Sequence, residues 1–496
     1  MTADPQMGDV TGSANDAHPA AGGTARIGVL VVAYNAASTL KWVLDRLPAS
    51  FRDRVDHVLV CDDASQDDTY RIGLEYGTGS DLPLTVVSHA ENLGYGGNQK
   101  WGYRWAIEHD LDIVVLLHGD GQYAPEVIES LVEPLENGTC DAVFGSRMMN
   151  RGAALEGGMP PYKYVGNKIL SRYENLLAGM RLTEWHSGYR AYRVDALRDI
   201  AFESNSDVFD FDTEIILQLH EAGKTIVEVP IPTYYGEEIC HVNGLKYAFD
   251  VVRDVTRYRL RKLGFGNSES AEIQLESHVR LSPESLYGQL QQWMQQHTDC
   301  RVLLIGCGDG QFGELLRDMG CYVVGIDNVK LDLVGARVHE FVEVARDAGV
   351  PAEVGDHFDV VVVADALTQY RNPTQLFGEL ARVLTPGGSC LIGVPNFSHW
   401  YPRLRTALGL FGYDRRGILD HRNVRFFTRR SFERLATSQG WRVRRRSVAG
   451  LAMAQMDWGG AQLEQMIRPL GALDRVGVRF WPNMFGLQYV YELVRD

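Results

Sequence analysis

Short runs of Val, Ile and Leu recur along the chain and alternate with stretches that have helical spacing. In the first half, these runs lie at Ile27–Ala33, His57–Cys61, Leu84–Ser88, Ile113–Leu117 and Asp141–Gly145. A run that is apolar throughout is typical of a strand covered on both faces, as in a parallel sheet. The pattern therefore predicts an α/β fold, with helices such as Gly97–His109 and Pro125–Glu136 between parallel strands.

A second series of the same kind follows in the second half of the chain. It predicts a helix at Pro283–Gln296 and strands at Arg301–Ile305, Tyr322–Ile326, Asp359–Ala364 and Ser389–Val394. Because 496 residues exceed the size of one ordinary domain, two successive α/β domains are the simplest account. We predict a disordered tail over 1–25, domains over 26–242 and 281–496, and a bridging helix and linker over 243–280, with Gly264–Glu276 as the best linker candidate.

Composition excludes several classes of protein. The formal net charge of −15 disfavours nucleic-acid binding, because phosphate backbones are bound by basic surfaces. The seven cysteines include no Cys-x-x-Cys pair, which fits buried thiols in a reducing compartment. No apolar run reaches the roughly 18–20 residues of a membrane span, and the start of the chain lacks the pattern of a signal peptide. We expect a cytoplasmic protein, either soluble or peripheral at the inner face of a membrane.

Polar side chains follow three of the predicted strands in the first half. Tyr34 and Asn35 follow the first strand, Asp62 and Asp63 follow the second, and the segment 118–122, HGDGQ, follows the fourth. Open α/β sheets bind ligands beyond the carboxyl ends of their strands. A carboxylate there, with neighbouring oxygen or nitrogen ligands, suits Mg²⁺ or Mn²⁺ held between protein and diphosphate. An Asp after a strand is also a common helix cap or turn residue, so each motif alone leaves both interpretations open.

Taken in order, these motifs resemble family-2 glycosyltransferases of the dolichol-phosphate-mannose-synthase-like type. The matching stretches, from about Ile27 to Tyr235, are VVAYNAASTL, VLVCDDASQDDT, ENLGYGGNQKWGY, VVLLHGDGQYAPE, VFGSRM, GNKILSRYENLLAGMRLTEWHSGYRAYR and FDFDTEIILQLHEAGKTIVEVPI. The resemblance implies a GT-A fold and the inverting transfer of a sugar from a nucleotide-sugar donor to a glycan or polyprenyl-linked acceptor.

The resemblance also assigns roles to single residues. The nucleotide-sugar-binding set is Tyr34, Asn35, Asp62, Asp63 and Arg147, in which the two acids match the family's nucleotide-binding pair. The metal set is His118, Asp120 and Gln122, since the first two stand where the family has its DxD motif. Arg147 and Arg190 match positions that handle phosphates or acceptor, and Arg suits phosphate geometry. Inverting transfer to a hydroxyl needs a general base, for which Glu184, Asp212 and Glu214 all remain candidates.

The sequence departs from the family at two places. His118 replaces the first acid of the DxD motif, so it either ligates the metal or only hydrogen-bonds nucleotide or backbone. The segment 235–238, YGEE, is acidic where relatives that act on lipid phosphates are often basic, which weakens any claim for a polyprenyl-phosphate acceptor. A basic helix follows at Lys246–Lys262, which carries Arg253, Arg257, Arg259, Arg261 and Lys262. Such a helix can lie on an anionic membrane surface, but it is more often a bridge between domains with a solvated charged face.

In the second half, the predicted strand Arg301–Ile305 runs into a glycine-rich turn with Gly306, Gly308 and Gly310, and Asp327 ends the next strand. Glycines there let a ligand approach the backbone beside a helix N-terminus, and the acid can accept both hydroxyls of a ribose. Together with FDVVVVADAL, LTPGGSCLIGVPN, GILDHRNVRFFTRRSFERL and FWPNMFGLQYVYEL, this region resembles class I S-adenosylmethionine-dependent methyltransferases. The resemblance implies a second Rossmann-like domain with S-adenosylmethionine as cofactor.

Departures from that family gather at the cofactor positions. Leu304 stands where an acid is usual, Ala345 where an adenine-contacting Asp is usual, and Thr368-Gln369 where Glu-His is common. Asn423 replaces a His, and the stretch between Asp327 and Phe341 is short for a full helix. Two interpretations remain open: a methyltransferase that acts on the glycosylated product, or a non-catalytic binding or assembly module.

Overall fold

The computed structural model describes residues 25–234, 244–265, 279, 281–345, 347–451 and 460–495. The predicted tail up to residue 24, the acidic segment 235–238 and most of the predicted linker lie outside the described residues. By their internal contacts the residues divide into two compact units. The first comprises Met1–Ile169 and Leu182–Tyr247, and the second comprises Leu170–Arg181 and Ala248–Asp496.

The first unit is built on a seven-stranded sheet. Its strands are β1 (Ile27–Ala33), β2 (His57–Asp62), β3 (Leu84–Ser88), β4 (Ile113–His118), β5 (Ala142–Ser146), β6 (Arg190–Arg193) and β7 (Ile226–Pro230). They lie in the order β3-β2-β1-β4-β6-β5-β7, and β6 alone runs antiparallel to its neighbours. The sheet is therefore mixed, not wholly parallel as its apolar runs predicted. The exception is a four-residue strand, RAYR, which contains no apolar run.

Helices accompany this sheet: α1 (Leu40–Asp45), α2 (Ala49–Arg52), α3 (Thr69–Gly79), α4 (Gly94–Glu108), α5 (Ile128–Glu136), α6 (Ala153–Glu156), α7 (Pro161–Ala178), α8 (Val194–Arg198) and α9 (Phe211–Glu221). Short 3₁₀ turns lie at Pro125–Val127 and Phe202–Ser204. All seven residues of β1 are buried, because helices cover both faces of the central strands. Burial of each Val or Leu side chain there contributes about 1.5–3 kcal/mol, so the central strands are a rigid support for the loops that follow them.

The register of the central strands brings the predicted site segments to one edge. Val32 lies opposite Cys61 on one side and His118 on the other, and Ala33 lies opposite Asp62. β1, β2 and β4 are parallel, so the segments that follow them all leave from the same carboxyl edge.

The second unit contains another seven-stranded sheet. Its strands are β8 (Arg301–Ile305), β9 (Tyr322–Asp327), β10 (Glu340–Glu343), β11 (Phe358–Val363), β12 (Leu384–Pro395), β13 (Trp441–Ala449) and β14 (Gln488–Arg495), in the order β10-β9-β8-β11-β12-β14-β13. Only β14 is antiparallel to its neighbours. The predicted α/β class is thus confirmed for both sheets, with one reversed strand in each.

The helices of the second half are α10 (Gly244–Lys262), α11 (Leu286–Met294), α12 (Gln311–Asp318), α13 (Val334–Arg337), α14 (Pro373–Val383), α15 (Trp400–Ala407), α16 (Arg429–Ser438), α17 (Ala461–Phe480) and α18 (Pro482–Phe485). Short 3₁₀ turns lie at Ala352–Val354 and Leu367–Gln369. Helix α13 has a single turn, which confirms that the stretch after Asp327 is too short for a full helix.

Candidate active site

The two acids at the end of β2 have different surroundings. Asp62 accepts hydrogen bonds from Ser88 Oγ at 2.8 Å and from the backbone N–H of Ser65 at 3.4 Å. The Asp63 carboxylate accepts from the backbone N–H groups of Leu93 at 2.7 Å and Gly94 at 3.1 Å, and so caps the start of α4. Burial raises the pKa of Asp63, although these two amides oppose the rise. Asp63 therefore shapes the loop before α4, while Asp62 lies at the sheet edge.

The segment that follows β1 is tied to the segment that follows β2. Asn35 has a positive φ of 51°, its N–H donates to Ser65 Oγ at 2.8 Å, and its Oδ1 accepts from Gln66 N at 2.9 Å. Asn tolerates this left-handed backbone better than most residues, because its short amide bonds locally. Tyr34 is left with its side chain 41% exposed at the same edge.

The segment after β4 holds the predicted metal-binding residues. Asp120 is partly exposed, and its Oδ1 accepts from the backbone N–H of Gln122 at 3.0 Å. Burial lowers the pKa of His118, against the opposing charges of Asp120 and Asp212. No group of three or more His, Cys, Asp or Glu side chains converges on a metal position within the described parts of the chain. A divalent cation here would thus need ligands from outside the protein, such as diphosphate oxygens.

A buried polar group lies next to His118. Tyr95 OH donates to Asp212 Oδ2 at 3.0 Å and lies 3.4 Å from His118 Nε2. Arg190 Nη1 lies 3.4 Å from Asp212 Oδ1, which accepts no hydrogen bond from any described residue. The guanidinium is itself fixed, since Nε donates to Ser187 O at 2.8 Å. The arrangement places a buried carboxylate, with one oxygen that accepts no hydrogen bond from the described residues, beside the predicted metal segment.

The other two predicted bases are placed differently. Glu184 is buried, and its carboxylate accepts from Arg147 N at 2.7 Å, from Arg147 Nε at 3.0 Å and from Asn167 Nδ2 at 2.8 Å. Burial alone would raise the pKa of Glu184, but the Arg147 charge and hydrogen bonds hold it below its usual value. Glu214 accepts from the backbone N–H of Ser206 at 2.6 Å. The structure thus groups Asp212 with Arg190 and His118, pairs Glu184 with Arg147, and directs Glu214 to the loop before α9.

The glycine-rich turn of the second unit has the backbone that the motif predicts. Gly306, Gly308 and Gly310 have φ values of 74°, 56° and 84°, a region in which side chains are strained. An ideal Cβ on Gly306 would lie 2.8 Å from the Ala366 methyl group. Asp327 Oδ2 accepts from Gly308 N at 2.8 Å, so the acid at the end of β9 fixes the turn that follows β8.

Comparison with known proteins now identifies the first unit. The family described as glycosyl transferase family 2 matches residues 28–201, and a methyltransferase domain family matches residues 271–445. Over 209 residues the chain is 33% identical to the undecaprenyl-phosphate mannosyltransferase of Micrococcus luteus, covering 42% of this chain and 82% of that protein. The chain belongs to glycosyltransferase family 2.

Further relatives of this glycosyltransferase have related names. The UDP-N-acetylglucosamine–dolichyl-phosphate N-acetylglucosaminyltransferase of Methanococcus voltae is 30% identical over 220 residues, or 42% of this chain and 86% of the relative. Among solved structures, the glucosyl-3-phosphoglycerate synthase of Mycobacterium tuberculosis, in complex with Mn²⁺, UDP and phosphoglyceric acid, is 20% identical. The match covers 49% of this chain and 80% of that one, with a TM-score of 0.35. Within the described residues, no helix of the glycosyltransferase is long and apolar enough to cross a membrane.

Sequence reasoning missed two residues that shape the glycosyltransferase site. Tyr95 connects His118 to Asp212, and an ideal Cβ on Gly188 would lie 2.6 Å from the His118 ring and 2.8 Å from Tyr95 OH. Both lie inside stretches that carry the family resemblance, ENLGYGG and HSGYR. Gly188 could have been noticed because it lies between the candidate residues Glu184 and Arg190 in the sequence. Nothing in the sequence connects Tyr95 to Asp212, which lies 117 positions away.

The departures in the methyltransferase domain of the enzyme are accommodated by the fold. Leu304 is buried in the core beneath the sheet, where an acid would be costly. Thr368 Oγ1 donates to Asn423 Oδ1 at 2.6 Å, so two of the exchanged positions satisfy each other. Ala345 has no polar side chain with which to replace the missing acid.

Sequence reasoning also passed over three polar residues near the glycine turn of this domain. Asp365, just after β11, has a positive φ of 56°, and burial raises its pKa to about 6. The Arg422 charge opposes that rise. Burial and the charges of Asp365, Asp309 and Asp327 raise the pKa of Tyr287, while Arg422 opposes them. These groups therefore share one electrostatic environment beside the glycine turn.

Proposed function

We propose that the first unit transfers a sugar, with inversion, from a nucleotide-sugar donor to a polyprenyl phosphate. The observation that carries this proposal is the position of Arg190, whose guanidinium lies beside Asp212 and so next to the group formed by Tyr95 and His118 at the carboxyl edge of the sheet. The similarity to an undecaprenyl-phosphate mannosyltransferase and to a dolichyl-phosphate N-acetylglucosaminyltransferase supports the choice of acceptor.

On the donor side, Tyr34, Asn35 and Asp62 would bind the nucleoside at the ends of β1 and β2. Asp120, with His118 and Gln122 beside it, would hold Mg²⁺ or Mn²⁺ against the diphosphate. The chemistry of this donor set fits, because a partly exposed carboxylate and an imidazole are suitable for a cation that takes its other ligands from the nucleotide. When bound, the metal neutralises charge that develops on the departing nucleoside diphosphate.

On the acceptor side, Arg190 supplies positive charge next to Asp212 Oδ1. A phosphate monoester is already ionised near neutral pH, so its oxygen attacks the anomeric carbon without losing a proton to the enzyme. In that case Asp212 orients Tyr95 and Arg190 and does not act as a base. Arg147 donates hydrogen bonds to Glu184 from its backbone N–H and from Nε, so in this proposal it mainly stabilises the loop after β5. It contacts phosphate only with the part of its guanidinium that Glu184 does not cover.

A second acceptor class, a glycan hydroxyl, is favoured by the same carboxylate. A hydroxyl must lose its proton as it attacks, and Asp212 is the most suitable of the three predicted bases. Glu184 is held by Arg147 and Asn167, and Glu214 by the backbone of Ser206.

Turnover by Asp212→Asn distinguishes the two acceptors. With a hydroxyl acceptor, loss of the base lowers kcat by about 10²–10⁴-fold, whereas with polyprenyl phosphate the loss is smaller and is not rescued at high pH. Asp195→Asn, at a surface carboxylate that is 67% exposed, is the matched control and keeps full activity.

Asp120→Asn removes sugar transfer with either acceptor but leaves the thermal unfolding midpoint unchanged. Wild-type turnover in that variant would refute the donor site.

For the second unit, we propose S-adenosylmethionine binding at the glycine turn, followed by methylation of the glycosylated product. The positive φ values at Gly306, Gly308 and Gly310 and the bond from Gly308 to Asp327 support binding. A non-catalytic assembly role is the alternative, favoured by Ala345. Calorimetric titration of the full chain with S-adenosylmethionine separates the two roles. Binding that is lost in Asp327→Ala and retained in the exposed control Asp318→Ala supports the cofactor. No binding to the wild type supports assembly.

A further inference from the structure

Helix α17 carries a row of large apolar side chains that are exposed to solvent. Their exposed fractions are 67% for Met466, 48% for Leu470, 65% for Leu473, 53% for Val476 and 73% for Phe480, and the next residue, Trp481, is 70% exposed. Spacings of three and four residues place the five helical members on one side. A single exposed leucine is ordinary in a folded protein, but a continuous row of this length marks a surface that is covered by something else.

The other side of α17 is fixed to its own unit, so the row cannot turn inward. Asp474 Oδ2 accepts from the backbone N–H of Leu451 at 3.2 Å, just after β13. One turn further along the same side, Val478 packs against the end of β13, since an ideal Cβ on Gly450 would lie 3.4 Å from Val478 Cγ2. These contacts hold the helix with the apolar row facing outward.

One edge of the row is cationic. Arg468, Arg475 and Arg479 are exposed and lie along α17 at intervals of seven and four residues. None of the three forms a salt bridge with a carboxylate among the described residues of the chain. The whole chain has a net charge of −15, so this row of positive charge runs against the overall sign. Such a surface is complementary to an anionic partner.

A second set of exposed apolar side chains begins close to the end of α17. Asn396 Nδ2 donates to the backbone oxygens of Asn483 at 3.1 Å and Gly486 at 2.8 Å, which joins the segment before α15 to α18. Exposed apolar residues of α15 and the loop after it are Trp400 at 38%, Leu404 at 49%, Leu408 at 62%, Leu410 at 61% and Phe411 at 53%. The apolar surface of this unit is therefore not confined to one helix.

We propose that α17 lies in the interface of an anionic lipid bilayer, with its apolar row at the acyl boundary and its arginines among the headgroups. A 20-residue helix is about 30 Å long, and helices with Leu and Phe on one side, Arg beside them and Trp at the end are suited to that plane. A second copy of this chain is a poorer occupant, because packing one apolar row against another would bring like arginine rows together. The inference goes beyond sugar transfer and does not depend on it.

The test is flotation of the full-length protein with vesicles. We expect flotation with phosphatidylcholine vesicles that contain phosphatidylglycerol, weaker flotation with phosphatidylcholine alone, and a decrease with added NaCl because the arginines are screened. The double variant Leu473→Glu/Phe480→Glu should reduce the partition coefficient by at least about tenfold, since two large apolar side chains leave the interface. Leu333→Glu, at another exposed leucine of this unit, is the matched control and should float like the wild type.

Several outcomes would overturn the proposal. One is that the wild type stays unbound to anionic vesicles. Another is that the double variant, with unchanged thermal unfolding, floats as well as the wild type. Light scattering provides the remaining one: a concentration-dependent dimer that the double variant abolishes, without vesicle binding by the wild type, would assign the row to a second copy. Because flotation needs no donor sugar, its result is independent of whether the proposed sugar transfer is correct.

Discussion

Replacement of Glu184 by Gln should make the first unit unfold more easily, because Glu184 is proposed to stabilise the fold and Asp212 to act on the acceptor. Glu184 and Arg147 form a buried ion pair, with side-chain exposures of 0% and 8%. Removal of one partner of such a pair leaves an uncompensated charge and costs about 3–5 kcal/mol. In a unit of this size, each kcal/mol lowers the Tm by about 2–4 °C. Asp212→Asn also removes one partner of a buried ion pair, the one with Arg190, so it should lower both stability and turnover.

The measurement uses a tryptophan that adjoins the substituted position. Trp185 is completely buried, so it contributes to the change in fluorescence, summed over the nine tryptophans of the chain, when this region unfolds in urea or on heating. Glu75→Gln is the control, because Glu75 pairs with Arg71 at the surface, where both side chains are more than half exposed and the pair is worth at most about 1 kcal/mol. The double variant Arg147→Met/Glu184→Gln should be less unstable than Glu184→Gln alone, since no buried charge is then left without a partner.

The same pair predicts a dependence on pH. The pKa of Glu184 is lower in the folded protein than in the unfolded chain, so the stabilisation is complete above the unfolded pKa. It is lost as the pH falls through the folded value, and Glu184→Gln should abolish that part of the acid sensitivity. A loss of less than about 1 kcal/mol in Glu184→Gln, or a double variant less stable than the single one, would refute the reasoning.

Three further predictions follow from glycine packing and from one raised pKa. Gly188→Ala should lower turnover at least tenfold, because its methyl group would displace the His118 ring, while Gly166→Ala, which has open space around it, should leave turnover unchanged. Gly306→Ala should abolish S-adenosylmethionine binding in calorimetry, since the new methyl group meets another methyl group at 2.8 Å on a backbone with positive φ. The Asp365 pKa of about 6 lies above its unfolded value, so the second unit should lose stability as the pH rises from about 4 to 6. Asp365→Asn should remove that loss in pH-dependent urea unfolding.

Local sequence was sufficient to locate strands that contain an apolar run, both in the centre of a sheet, as for β1, and at its edge, as for β3. β1, β3 and β8 have the predicted bounds, Ile27–Ala33, Leu84–Ser88 and Arg301–Ile305. The short strand β6 was not predicted, since four residues with two arginines carry no strand period. Its reversed direction depends on partners on both sides, which no local pattern encodes.

The candidate site divides in the same way. Asp62, His118 and Asp120 could be predicted because each directly follows an apolar run, and parallel strands end at one edge. The choice among Glu184, Asp212 and Glu214 could not be made, because it depends on which distant residue each carboxylate meets. Glu184 meets Arg147 across 37 positions, and Asp212 meets Tyr95 across 117.

The hydrogen bond between Thr368 and Asn423 constrains how this domain can change over evolutionary time. Both side chains are buried, at 1% and 5% exposure, and they lie 55 positions apart in the chain. Exchange of either residue alone leaves the other without its partner, at a cost of about 1–3 kcal/mol. A lineage that carries this pair can regain the family's usual Glu and His only by changing both codons together or by passing through a less stable ancestor. The effect of a substitution at one position therefore depends on the residue at the other, so the two positions are epistatic.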